Sequence, residues 1–151
     1  MNSVRYSFDI VVHARPTSAT PGPTYTLRGV DLPTLAITAA ECPSFERSFE
    51  EVAADLERFE RMYFEPDGSL VWVSSTPDAG AQFEPWQLDG MLYDRDGRVR
   101  HVELKGSCPS EAFDRITAVL GLPTTAMVFQ LTREALFLDD ATFRRYASAG
   151  G

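Results

Sequence analysis

Asp89, Glu103 and Lys105 are the residues of this chain whose types and spacing come nearest to chemistry. They lie in Trp86–Gly106, WQLDGMLYDRDGRVRHVELKG, which reads as a β-hairpin turning at Asp96-Gly97. One acid stands near its start and an acid-x-base pair near its end. Two carboxylates beside an ammonium suit metal-assisted phosphoryl chemistry: hard Mg²⁺ or Mn²⁺ takes carboxylate oxygens, and a lysine steadies charge developing on phosphorus. The same letters also describe a solvated hairpin, since strand charges usually face water. On that second reading no cofactor is required.

Register decides between the two, because successive side chains on a strand alternate faces. A two-residue type I′ turn at Asp96-Gly97 pairs Arg95 with Arg98 and sets Asp89 opposite Leu104, away from Glu103. A three-residue turn with a bulge at Gly97 pairs Asp94 with Arg98 and sets Asp89 opposite Glu103. A second hairpin, Met62–Val73, matches the first position by position through its aromatic-acid-x-Asp-Gly turn. There Glu65-Pro66-Asp67-Gly68 has Pro where a type I turn wants it and Gly at the bulge position. The bulged register is therefore expected for both.

Asp89…Glu103-x-Lys105 resembles the PD-(D/E)xK nuclease superfamily. The resemblance implies that Asp89 and Glu103 hold a divalent metal, Mg²⁺ or Mn²⁺, and that Lys105 positions the attacking water. It also implies a core of helix, three antiparallel strands, helix and strand, which Ser44–Leu131 can follow with one strand to spare. Leu88 stands where that family often has Pro before the first acid.

The elements that must position these residues are legible in part. Val4–His13 alternates apolar and polar residues, as a half-buried strand does. Pro16–Thr24 holds three prolines and a glycine and reads as a mobile loop. Thr34–Ala40 reads as a strand. Phe45, Phe49, Val52, Leu56 and Phe59 recur at helical spacing, which predicts a helix over Ser44–Glu60, with Ser48 and Glu51 offering a capping box. A helix is predicted over Ser110–Leu120, stopped by Gly121 and Pro123. Met127–Leu131 and Ala135–Leu138 read as strands. Asp139 or Asp140 caps a short last helix to Tyr146, and 148–151 should fray. The fold class expected is α+β: a mostly antiparallel sheet of consecutive hairpins, with two main helices packed on one face and a short C-terminal helix, in one domain over 1–151.

Composition narrows the function. A net charge of −8 argues against nucleic acid or an anionic membrane as partner, though a small basic cleft could sit on an acidic body. No apolar run is long enough to span a bilayer, and the N-terminus lacks a signal-peptide pattern, so a cytoplasmic protein is expected. Cys42 and Cys108 read as buried structural thiols, each opening a Cys-Pro-Ser that precedes a predicted helix. His13 reads as a surface residue and His101 as solvent-facing or half-packed. There is no G-x-S-x-G elbow, phosphate loop or HExxH. Phe83 and Trp86, in the 79–86 loop between the hairpins, are the best candidates for an exposed aromatic contact. The expectation is a binding or interaction module without catalytic machinery, using its aromatic-rich sheet or that loop, with an unknown protein or small molecule as partner. The alternative is a metal-dependent phosphodiesterase at Asp89, Glu103 and Lys105.

Overall fold

The strand β1 (Arg5–Ala14) shows how the sheet is made: Tyr6, Phe8, Ile10 and Val12 are buried, while Asp9 between them is exposed. A computed structural model of the protein describes residues 4–75 and 84–150. The same alternation runs through β6 (Gln87–Arg95) and β7 (Arg98–Pro109), where Leu88, Leu92, Val102 and Leu104 are buried and Asp89, Glu103 and Lys105 are exposed. One face of these strands is apolar and the other polar, as a period of two requires.

The other strands are β2 (Thr20–Leu27), β3 (Val30–Ala36), β4 (Met62–Phe64), β5 (Ser69–Val73), β8 (Met127–Leu131) and β9 (Leu136–Leu138). All pair antiparallel into one nine-stranded sheet, in the order β2-β3-β9-β8-β1-β7-β6-β5-β4. The four consecutive strands expected around the two hairpins are neighbours, β4 to β7. With three helices, the fold is α+β.

The helices are α1 (Phe49–Glu57), α2 (Ser110–Leu120) and α3 (Asp140–Ala149). Phe113 of α2 packs edge-on to Tyr6 and Phe8, and Phe143 of α3 stacks on Phe129 of β8 at 4.7 Å. Val52 and Leu56 of α1 are buried, and Phe49 meets Phe64. Gly121 takes a left-handed φ of 119° after α2, the conformation that ends a helix most cheaply for glycine.

Several boundaries differ from the sequence reading. The helix predicted over Ser44–Glu60 starts only at Phe49, behind the Ser48–Glu51 capping box. Before it, Phe45 N–H donates to Val99 O and Val99 N–H to Arg47 O, so tertiary pairing across the β6–β7 hairpin takes the backbone groups a longer helix would use. The Pro16–Thr24 stretch, read as loop, gives way at Thr20 to strand β2. Pro21 and Pro23 are tolerated because β2 is an edge of the sheet, and the register shifts between Pro21 and Thr24. The chain read as fraying from Ser148 continues α3 to Ala149.

Candidate functional site

The two hairpins turn differently. In β4–β5 the loop is Pro66-Asp67-Gly68, with Gly68 N–H donating to Glu65 O and a φ of 100° at Gly68. That is the expected bulged turn. In β6–β7, Arg95 pairs with Arg98, and both Asp96 (φ 53°) and Gly97 (φ 82°) are left-handed, which is a type I′ turn. The bulged turn expected there is therefore wrong. Proline cannot adopt positive φ, so Pro66 commits the first hairpin to a type I turn; Arg95 at the matching position imposes no such limit, and Asp tolerates the left-handed region.

A second irregularity reverses the consequence. Tyr93 opposes His101 while Asp94 opposes Val99, which makes Arg100 an extra, bulged residue on β7. Beyond it the register advances by one, and Asp89 falls opposite Lys105, with Met91 opposite Glu103. Asp89, Glu103 and Lys105 thus share the polar face, by a route the turn alone would have forbidden. On its other side Lys105 faces Asp9 of β1. The lysine stands between two acids, yet among the described residues no carboxylate is in ion-pair contact with it. Gln87 Nε2 donates to Asp89 Oδ1 at 2.9 Å, and the Tyr93 hydroxyl donates to Glu103 Oε1 at 2.9 Å. That bond to a carboxylate, with minor burial and charge repulsion from Glu103, raises the Tyr93 phenol above its ordinary range.

Both acids already have hydrogen-bond partners. Asp89 accepts from Gln87 and Glu103 accepts from Tyr93, so each acid is engaged by its own neutral donor. Among the described residues no three His, Cys, Asp or Glu side chains are grouped to hold an ion.

Further along the same face, His13 of β1 opposes His101 of β7 with ring centroids 5.5 Å apart, and His101 lies 4.6 Å from Tyr93. His13 Nε2 is 2.9 Å from Gln130 Oε1 on β8, and the ring sits 5.7 Å from Phe137. His13 is only 4% exposed, not a surface residue as its sequence context suggests. Burial lowers the pKa of both imidazoles, and each is further lowered by the Arg100 guanidinium; His101 also feels His13. A single His at a strand end carries no sign of this; only the β1–β7 pairing creates it.

At the other end of β6, Trp86 is half-buried, edge-on to Trp72 at 5.0 Å, rather than an exposed aromatic. Phe83 lies outside the described residues. The segment before Trp86 is tied to β1, where Arg5 donates to Glu84 O at 2.9 Å and to Pro85 O at 3.3 Å. Here a cleft of about 850 Å³ opens, lined by Trp86 and Tyr146 and by Ser7, Gln87, Lys105 and Ser107. Arg28, Arg61 and Arg133 also line it, and these the sequence reading missed; they come from three separate turns and share no motif. A smaller cleft of about 300 Å³ lies over Asp9, Asp89, Glu103 and Lys105.

The two Cys-Pro-Ser segments do not repeat one structure. Cys108 is fully buried at the end of β7, directly before α2. Cys42 is partly exposed and stands six residues ahead of Ser48, the cap of α1. Burial pushes the Cys108 thiol up to about 12 and the Cys42 thiol to about 11, so neither is a ready nucleophile. No helix among the described residues is long and apolar enough to cross a membrane. Comparison of the chain with family models, with curated proteins and with solved structures finds no match in any of the three.

Proposed function

We propose that the protein is a binding module and that its site is the cleft beside Trp86. We take the helices to pack together on the apolar face of the sheet, with the cleft reached from the polar residues Ser7, Gln87, Lys105 and Ser107. The observation that carries this is the cleft itself. Its volume of about 850 Å³ is of small-molecule scale, and its lining joins two aromatic residues to several polar ones. Trp86 belongs to the sheet-and-loop surface that the sequence singles out for contact. We take the cytoplasm as its home, a compartment that keeps cysteines such as Cys42 and Cys108 reduced.

The test is an NMR screen of the whole chain against a library of small soluble fragments. Amide shifts should gather at Ser7, Gln87, Lys105 and Ser107. Hits that map to the opposite end of the sheet, or no hits, would sink the proposal.

A metal-dependent phosphodiesterase at Asp89, Glu103 and Lys105 is the second reading. It is supported by the shared face of the three residues and by the shallow cleft above them. The hydrogen bonds that Gln87 and Tyr93 make to the two acids weigh against it. Titration with Mg²⁺ to millimolar concentration should leave the side-chain carboxyl signals of Asp89 and Glu103 in place. Saturable shifts at both acids would revive the enzyme.

A further inference from the structure

We propose that the cleft takes a small organic anion, its phosphate or carboxylate drawn in by the cations that line the cleft, Arg28, Arg61, Lys105 and Arg133, and its apolar body resting at Trp86. This rests on the cleft being the binding site.

The charge balance of the lining carries the argument. The chain has 22 acidic and 14 basic side chains, yet the cleft is lined by four basic residues (those above) and two acidic ones, Asp9 and Glu134. The bias of the whole molecule is inverted at one place. Arg61, Lys105 and Arg133 are exposed, and among the described residues none of them is paired with a carboxylate.

Arg28 is held differently. Its Nη1 donates to Ser7 O at 2.8 Å and Tyr146 O at 3.1 Å, and its guanidinium lies 4.0 Å over the Tyr146 ring. A guanidinium has five N–H donors, so these two bonds fix it as a wall while other donors remain. One fixed guanidinium and three cations unpaired among the described residues, beside the serines and Trp86, suit an oxyanion with an apolar body.

Scale selects a small ligand over a polymer. Screening confines each charge to about 8–10 Å at physiological salt. A bound small anion feels the local cations; a nucleic acid crossing the surface would meet the net charge of −8 as well.

The test is titration of the full chain with four probes, followed by amide NMR and tryptophan fluorescence: phenyl phosphate, phenylacetate, inorganic phosphate and benzyl alcohol. Phenyl phosphate or phenylacetate should shift Gln87 and Ser107 with a midpoint at least tenfold below that of benzyl alcohol, and the advantage should shrink with added salt. Whichever of the two binds more tightly identifies the head group. Arg61→Ala and Arg133→Ala should each weaken that probe about five- to tenfold with an unchanged unfolding midpoint, while Arg95→Ala, outside the cleft, should not. Benzyl alcohol binding as tightly as the anions would overturn the anion inference and leave the binding module standing. Inorganic phosphate matching phenyl phosphate would overturn the role given to Trp86. No shift in the cleft with any probe would remove both the inference and the reading beneath it.

Discussion

The fold biases the protonation of both His13 and His101. Burial favours their neutral forms, so both folded-state pKa values lie below the ordinary 6.5. As pH falls through 6.5 the unfolded chain takes up protons first, and stability declines until the folded-state values are passed. The groups facing this pair are Gln130, Phe137, Arg100, Tyr93 and Glu103. Urea denaturation at pH 7 and at pH 5.5 should therefore show a loss at the lower pH. The double variant His13→Gln, His101→Gln should show a smaller one. An equal loss in both would mean that other groups carry the acid sensitivity. The lowered carboxyls of Glu41, Glu51 and Asp67 act elsewhere: their stabilisation is complete above about pH 4.5 and is lost only below it.

Turns and caps decide what each element presents. Ser48 closes the capping box of α1, accepting from Glu51 N–H at 3.1 Å while Glu51 accepts from Ser48 N–H at 3.1 Å. Ser48→Ala should cost about 1 kcal/mol by chemical denaturation. Gly97 sits in open space at positive φ, so Gly97→Ala should cost about 1–2 kcal/mol from backbone strain alone. Gly68→Ala should cost more. Its φ is also positive, and an added β-carbon would run into the backbone carbonyl of Leu92, which lies on the neighbouring strand. Equal losses for the two glycines would show that the β5–β6 approach gives way easily. The cleft depends on such details, since Arg28, Arg61 and Arg133 come from the β2–β3 turn, the α1–β4 link and the β8–β9 turn.

The molecule as a whole is held by an aromatic cluster that joins distant parts of the chain. Phe8, Phe113, Phe129 and Phe143 come from β1, α2, β8 and α3 and lie within ring contact of one another in several pairs. Phe143 is fully buried, so Phe143→Ala should cost about 3–5 kcal/mol. Tyr63, 58% exposed on the edge strand β4, should lose no more than about 0.5 kcal/mol as Tyr63→Ala. Urea midpoints of the two variants at equal m-value would test the contrast. A large loss at Tyr63 would show that this edge is covered in solution.

Much of this fold is written locally. Alternation in Val4–His13, the capping box at Ser48, the stop at Gly121-x-Pro123 and the Asp139 cap all depend on neighbours in sequence, and each forms as its residues dictate. The α+β class and the four-strand run of hairpins follow from that local order. What sequence could not settle is relational. β1 becomes a central strand between β7 and β8, and no local pattern says which strands will flank it. The helix start moved to Phe49 because Phe45 and Arg47 found partners on Val99, 54 and 52 residues away. Asp89, Glu103 and Lys105 share a face only because the bulge at Arg100 adds one residue to β7. A period of two makes one residue sufficient to turn a side chain from core to solvent. The cleft arginines belong to turns far apart in the chain and line one cleft only once the sheet is assembled, so their chemistry is a property of the tertiary structure alone.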